Sequence, residues 1–149
     1  MTAPYPGQFD RGVHAFPVRV YFEDTDLTGI VYHANYLRFM ERARSEMLRA
    51  LGIEAQTMLD AGDGYYSVHE LHVTYLAPAR LDDVLTVRSC VVQVRAAATV
   101  IRQDVWRGEQ PLTRGCVTAA WLSMTGRPQR QPKDWATRFV ALQHEATSN

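Results

Sequence analysis

The apolar positions along this chain change period between its first half and its centre, and each period marks a different element. Residues 16–23 alternate between apolar and polar side chains, which predicts a β-strand. From residue 36 to residue 51 apolar side chains recur every three or four positions, which predicts a helix with Asn35 as its N-cap and Gly52 beyond its end. Residues 1–15 carry prolines and glycines without a clear period, and predict a loosely ordered N-terminal segment.

The remainder of the chain is mainly β in character. Four more strands are predicted, at residues 65–76, 84–94, 98–106 and 111–124, with a hairpin turn at 107–110. Residues 56–60 predict a short helical turn and residues 135–144 a short terminal helix. This order predicts an α+β fold, a single antiparallel sheet of about five strands with one long helix packed on it. Because no linker or repeat interrupts the pattern, residues 1–149 are predicted to form one domain.

Composition and charge narrow the class of protein. Lys and Arg together number 16, as do Asp and Glu, so the formal net charge is zero and no clustered basic face suggests nucleic acid. No apolar run reaches the roughly 20 residues of a membrane-spanning helix, and the N-terminus lacks a basic segment followed by an apolar one. We therefore expect a cytoplasmic protein with no transmembrane segment and no nucleic-acid partner.

The stretch EDTDLTGIVYHANY, residues 23–36, joins the first predicted strand to the long helix and concentrates the candidate chemistry. Its acids can be ordinary turn formers, because Asp and Thr bond readily to nearby backbone groups. Glu23, Asp24 and Asp26 could instead ligate a cation, but the further oxygen ligands of a calcium-binding loop are missing. His69 and His72 would face opposite sides of a strand, so we predict no metal site there either.

A third interpretation is phosphoryl transfer, since DTDLT at residues 24–28 fits the DxDxT signature of haloacid-dehalogenase-like phosphatases. Asp24 would then be the nucleophile. That family has an alternating, doubly wound parallel sheet and a Lys upstream of a later acidic pair. Here the only Lys, Lys133, follows the acidic pair at residues 82–83, and the predicted strands are consecutive.

The fourth interpretation is transfer of an acyl group to water. A carboxylate just ahead of a helix N-terminus lies beside free backbone N–H groups and the positive end of the helix dipole. Those donors can hold a thioester carbonyl oxygen as it gains negative charge. The carboxylate can attack the carbonyl or activate a water to do so. Gly29 would let the backbone approach a ligand, or adopt a conformation that other residues resist.

Two segments carry a family resemblance: RVYFEDTDLTGIVYHANYLRFMERARSEML at residues 19–48 and YLAPARLDD at residues 75–83. Together they resemble the hotdog-fold acyl-CoA thioesterases of the 4-hydroxybenzoyl-CoA thioesterase family, and most closely the bacterial tol-pal-associated acyl-CoA thioesterases. The resemblance implies a sheet curled round the long helix and hydrolysis of acyl-CoA to a free acid and CoA. It also implies no metal and no cofactor, since CoA is part of the substrate.

The resemblance also implies roles for particular residues. Asp26 corresponds to the catalytic carboxylate, acting as nucleophile or general base. His33 falls at the start of the family's helix, where its backbone N–H would polarise the thioester carbonyl and its imidazole could assist proton transfer. The loop that lies against the thioester is matched by Gly29, Ile30, Val31, Tyr32 and His33. Arg95 is the best match to the arginines that contact the CoA phosphates.

Members of this family form homodimers or homotetramers with the active site between subunits, which the resemblance implies for this chain. An acyl-CoA is the expected small-molecule partner, with acyl carrier protein as a second candidate. The alternative from another class is a non-catalytic hotdog module that binds acyl-CoA or acyl carrier protein without turnover. The presence of both Asp26 and His33 favours the enzyme, because a binding module has no need of a carboxylate facing an electrophile.

Overall fold

The computed structural model describes residues 2–147, which form one six-stranded antiparallel sheet and three α-helices. The strand order across the sheet is β1-β2-β4-β5-β6-β3. The elements in chain order are β1 (Gln8–Asp10), β2 (Val13–Arg19), α1 (Asn35–Ala50), α2 (Ala55–Asp60), β3 (Tyr65–Tyr75), β4 (Val84–Val94), β5 (Ala98–Arg107), β6 (Gln110–Leu122) and α3 (Lys133–Thr147).

The predicted α+β architecture is confirmed, and the strand count is corrected from about five to six. The long helix and the last four strands lie within about two residues of their predicted bounds. The hairpin turn between β5 and β6 is shorter than predicted, because the strands pair as far as Arg107 and Gln110. The terminal helix runs longer than residues 135–144, because Lys133 begins it and it continues to Thr147.

The prediction for residues 1–15 was wrong for the part that forms β1 and the start of β2. These strands make a hairpin whose turn holds Arg11 and Gly12 at positive φ. His14 is fully buried on this hairpin, and its Nε2 lies 3.0 Å from the Pro6 carbonyl oxygen. A three-residue strand beside prolines and glycines is too short to show a period, so only its packing reveals it.

The first predicted strand also ends earlier than residue 23. After Arg19 the chain leaves the sheet, and Phe22–Asp24 forms a 3-10 turn. Val20 stays buried and joined to the β4 side of the fold, because its N–H donates to the Asp83 carbonyl (2.9 Å) and its carbonyl accepts from Asp82 (3.0 Å). In an alternating strand over residues 16–23, Phe22 would lie on the same face as Val20, but it is 80% exposed.

Helix α1 packs across one face of the sheet and forms most of the core with it. Its buried residues recur at helical spacing and are Tyr36, Phe39, Met40, Ala43 and Met47. Each buried large apolar side chain contributes roughly 1.5–3 kcal/mol of transfer free energy. Gly115 on β6 permits this close packing, because an added Cβ there would lie 2.7 Å from the Met40 Cε. The close contact between α1 and β6 therefore fixes the position of the start of α1 relative to the sheet.

Strand β3 lies at one edge of the sheet and pairs only with β6 among the described residues. Unlike the central strands, it contains no buried residue. Three large apolar or aromatic side chains of β3 are exposed: Val68, Leu71 and Tyr75. None of the helices within residues 2–147 is long and apolar enough to cross a membrane.

Candidate active site

The loop between β2 and α1 is held by its own backbone and by one side chain of the helix. The Asp24 carbonyl accepts hydrogen bonds from the Tyr32 N–H and from the Asn35 side-chain Nδ2, both at 2.9 Å. The Asp24 carboxylate accepts from the Tyr21 N–H at 2.8 Å. The Asp24 carbonyl therefore joins the start of the loop to its end beside α1. The Asp24 carboxylate is occupied by its bond to the Tyr21 N–H.

Asp26 lies on the exposed part of this loop, and Thr28 holds its carboxylate. The Asp26 Oδ1 accepts from the Thr28 hydroxyl at 2.6 Å and from the Thr28 N–H at 2.8 Å. These bonds stabilise the ionised form and lower the pKa of Asp26 below its ordinary value, chiefly through the hydroxyl, with a smaller contribution from the imidazole of His33. Asp26 is therefore a carboxylate at neutral pH, suited to act as a base or a nucleophile.

Gly29 and the two residues after it turn the loop back toward the fold. Gly29 has φ +81°, a conformation that residues with a side chain rarely adopt, and open space surrounds the position of a Cβ. The Asp26 N–H donates to the Ile30 carbonyl at 2.8 Å, which closes the turn around Gly29. Val31 is buried, and its N–H donates to the Ala79 carbonyl at 2.9 Å. The loop is thereby joined to the segment between β3 and β4.

The start of α1 presents backbone N–H donors that have no acceptor among the described residues. Ala34 precedes the helix with φ −69° and ψ −21°, so it occupies the N-cap position predicted for Asn35, whose amide instead bonds the Asp24 carbonyl. The Asn35 N–H donates to the Tyr32 carbonyl at 2.8 Å. Within residues 2–147, no backbone acceptor meets the N–H of His33 or of Ala34. Such free N–H groups can receive a developing negative charge.

Two tyrosines hold this helix start against the sheet edge. The Tyr75 hydroxyl donates to the His33 carbonyl at 2.9 Å. The buried Tyr36 hydroxyl accepts from the Ala79 N–H at 3.0 Å. The sequence pattern did not identify the Tyr75 bond, because its partner is 42 residues away in the chain.

An open cleft of about 290 Å³ lies beside these groups, lined by Ile30, Val31, His33, Tyr36, Tyr75, Leu76, Ala77 and Pro78. Most of its lining is apolar, which suits the thioester part of a ligand and the carbon atoms next to it. Of the predicted loop residues, Ile30, Val31 and His33 contact this cleft. Asp26, Gly29 and Tyr32 lie on the adjoining loop and do not line the cleft.

Arg95 does not lie at this cleft. It lies in the exposed turn between β4 and β5, where its Nε donates to the Gln93 side chain at 3.2 Å. Tyr75 pairs with Thr113, while the Arg95 turn adjoins the Ala119 end of the same β6 strand. The stretch of β6 between those two positions is about 20 Å long. Arg95 and the cleft therefore lie toward opposite ends of the strands.

A second cavity, of about 350 Å³, lies at that opposite end. Helix α2, the second half of α1, and the first residues of β3 surround it, with Trp121 and Trp135 behind them. Its wall is mainly apolar, through Leu48, Met58, Leu59 and Val68. The two cavities thus lie at the two ends of the exposed strand β3.

The other interpretations of the loop can be compared with this geometry. Within the described residues, no group of three His, Cys, Asp or Glu side chains converges as a metal site would require. The phosphatase interpretation requires a parallel sheet, whereas every strand pair here is antiparallel. A hydrolytic site built on Asp26 and the helix start agrees with the observed arrangement.

Comparison with known proteins decides the family. A family model described as the thioesterase superfamily matches residues 28–113, which include the loop after Asp26, all of α1 and the cleft. The chain belongs to the thioesterase superfamily. Over 129 residues it is 40% identical to the acyl-CoA thioesterase YbgC of Haemophilus influenzae, covering 86% of this chain and 95% of that protein.

Solved members of the superfamily share the hotdog fold of this chain. A probable thioesterase from Bartonella henselae is 33% identical, with a TM-score of 0.77, over 80% of this chain and 99% of that one. A thioesterase from Thermus thermophilus, solved in complex with coenzyme A and Zn, is 27% identical with a TM-score of 0.76, over 89% and 95% of the two chains. The predicted hotdog fold, with a sheet wrapped around a long central helix, is confirmed.

Thr28 is the other site residue that sequence reasoning missed. A signal was present, since Asp followed two positions later by Thr is a spacing at which a side chain bonds local backbone and hydroxyl groups. In this chain the turn formed by Asp26 and Thr28 has a second effect besides shaping the loop. It holds the candidate catalytic carboxylate in its ionised form.

Proposed function

We propose that this chain is an acyl-CoA thioesterase that hydrolyses an acyl-CoA to a free acid and CoA. The observation that carries the proposal is the position of an ionised carboxylate, Asp26, on the loop that leads to the free N–H groups of His33 and Ala34. The name of the Haemophilus influenzae relative, an acyl-CoA thioesterase, supports this substrate class. The bound coenzyme A of the Thermus thermophilus structure supports it independently.

The reaction needs few groups. The thioester carbonyl oxygen accepts from the backbone N–H groups at the start of α1, which stabilise it as it becomes an oxyanion. Asp26 takes a proton from a water whose oxygen bonds to the carbonyl carbon, or its carboxylate forms that bond itself and the resulting anhydride is hydrolysed. The carbon–sulfur bond breaks, CoA leaves as its thiolate and takes up a proton. The acyl group leaves as a carboxylic acid.

The exposed position of Asp26 in one protomer favours a site completed by a second copy. A long sheet edge with exposed apolar side chains invites pairing with another strand, and β3 offers one over eleven residues. Two β3 strands paired antiparallel about a twofold axis place the Tyr75 end of one against the Tyr65 end of the other. The cleft of one subunit then adjoins the 350 Å³ cavity of its partner.

In this homodimer the acyl group lies in the apolar cavity contributed by the partner subunit, and the thioester lies at Asp26 and the helix start. The end of the sheet that carries Arg95 is brought toward the partner's cleft, where a guanidinium suits the CoA phosphates. Arg95 lies far from the cleft of its own subunit. In the proposed dimer it can still contact the phosphates of the CoA that is bound at the partner's cleft.

The test is release of free thiol from a panel of acyl-CoA substrates of graded chain length. Asp26→Asn is expected to lower kcat by about a hundred- to ten-thousand-fold, the range for loss of a general base, while binding of acyl-CoA persists. Glu23→Gln, which removes a nearby exposed carboxylate, is the matched control and should keep full turnover. Undiminished turnover by Asp26→Asn would refute the assignment. Tight binding of every acyl-CoA without hydrolysis by the natural chain would favour the non-catalytic binding module.

A further inference from the structure

Tyr75 joins the edge strand of the sheet to the start of α1. It is the last residue of β3, and its hydroxyl donates to the His33 carbonyl at 2.9 Å. Its ring packs edge-on against the His33 ring at 6.2 Å and against the Tyr36 ring at 5.7 Å. Burial raises the pKa of Tyr75 above its already high ordinary value, so the hydroxyl remains a donor throughout the neutral range.

The His33 carbonyl belongs to the same planar peptide group as the Ala34 N–H. In a trans peptide the C=O and the N–H point in opposite directions, so a bond that fixes the carbonyl also fixes the N–H. The Asn35 N–H holds the Tyr32 carbonyl in the same way, and that peptide carries the His33 N–H. The peptide planes that carry the His33 and Ala34 N–H groups are therefore both held from the carbonyl side.

No other described side chain can replace the bond that Tyr75 makes to the His33 carbonyl. Among the described residues Tyr75 provides the only side chain that bonds to a carbonyl of residues 32–34. A hydrogen bond to an amide carbonyl also polarises the amide, which makes its N–H a stronger donor. The hydroxyl of Tyr75 therefore affects both the direction and the strength of the Ala34 N–H.

We propose that Tyr75 is a positioning residue for the oxyanion site: it holds the His33–Ala34 peptide so that the Ala34 N–H, beside that of His33, meets the thioester oxygen as charge develops. Tyr75 acts through the peptide and does not touch the reacting atoms. Its contribution belongs to the transition state, because preorganised donors matter most where charge appears during the reaction. The inference rests on the proposed thioesterase function.

The first test is Tyr75→Phe, which removes the hydroxyl and keeps the ring that packs on His33 and Tyr36. Since one oxyanion donor is misaligned but not removed, kcat is expected to fall by about tenfold, with KM changed by less than about twofold. The matched control is Tyr5→Phe, a tyrosine exposed in the N-terminal segment, which should leave kcat unchanged. Thermal unfolding of both variants confirms that each is folded. An unchanged kcat in Tyr75→Phe, or a change confined to KM, overturns the proposal.

A second test measures the carbonyl directly. Decanoyl-CoA labelled with carbon-13 at the thioester carbonyl is bound to Asp26→Asn, and the isotope-edited infrared stretch is recorded with and without Tyr75→Phe. We expect the added substitution to raise the carbonyl frequency, because a weaker donor polarises the bond less. Equal frequencies in the two proteins overturn the role of Tyr75. If the natural chain releases no thiol from any acyl-CoA, the thioesterase proposal itself has failed, which is a different outcome.

Discussion

The Thr28 hydroxyl lies 2.6 Å from Oδ1 of Asp26 and donates a hydrogen bond to it. This bond is the largest cause of the lowered pKa of Asp26, so its loss should raise that pKa. Because the proposed reaction needs the carboxylate, Thr28→Val should shift the acid limb of the kcat/KM profile to higher pH, with activity lost earlier on acidification. Thr25→Val is the control, since the Thr25 hydroxyl bonds the Phe22 carbonyl. A limb that stays in place in Thr28→Val would show that another group controls it.

A comparison of Gly29→Ala with Gly62→Ala should separate two effects of Gly29. One is the loss of stability from a side chain at positive φ, and the other is the contribution of Gly29 to the active site. Gly29 and Gly62 have φ of +81° and +74°, and neither has a heavy atom within 4 Å of an added Cβ. Each substitution by Ala should therefore cost a similar free energy of unfolding, about 1–2 kcal/mol. Only Gly29→Ala should lower kcat/KM, because Gly29 shapes the turn that carries Asp26. Equal activity of the two variants would remove Gly29 from the site.

Tyr36→Phe is expected to lower stability. The Tyr36 hydroxyl is the acceptor for the N–H of Ala79, and both residues are buried. Leaving that N–H without a partner should cost about 1–3 kcal/mol. For a chain of this size the result is a fall in Tm of several degrees, measured by calorimetry. Tyr65→Phe is the control, because the Tyr65 hydroxyl makes no hydrogen bond within residues 2–147, and its Tm should be unchanged.

The exposed edge of β3 predicts that one charge there will disrupt the proposed dimer. Leu71 on β3 and Val140 on α3 are both 38% exposed in one protomer. Leu71→Lys should give a monomer of low kcat/KM, because a buried unpaired ammonium is costly and the acyl cavity comes from the partner. Val140→Lys should keep the mass and the activity of the natural chain. Light scattering after size-exclusion chromatography measures the mass, and an active monomer would contradict the shared site.

Filling the 350 Å³ cavity should change the preferred acyl chain length and leave the rate of thioester hydrolysis for short substrates unchanged. Met58 on α2 lines this cavity, so Met58→Trp should reduce its volume. The expected result is a raised KM for the longest acyl-CoA substrates and an unchanged kcat/KM for the shortest. Met124→Trp, which adds the same ring at an exposed position outside the cavity, is the control. A uniform effect across all chain lengths would place the acyl group elsewhere.

Much of the fold followed from the sequence because its elements are periodic and long. The apolar spacing of α1 and the consecutive strands β4, β5 and β6 are local patterns, and they predict an α+β fold. The hairpin of β1 and β2 could not be predicted in this way, because β1 spans only three residues. Its stability comes from contacts that are distant in the sequence, such as the pairing of β2 with β4, which places His14 opposite Ser89.

One continuous segment, residues 19–48, was enough to predict the helix from its apolar spacing and, through its family resemblance, Asp26 as the candidate carboxylate. These are properties of one continuous segment, and local patterns encode them. Only the folded chain shows which backbone N–H groups at the helix start lack acceptors within residues 2–147, which tyrosine bonds the His33 carbonyl, and that Arg95 lies far from the cleft. Those facts depend on sheet order and on strand register, which bring distant residues together and cannot be read from spacing along the chain.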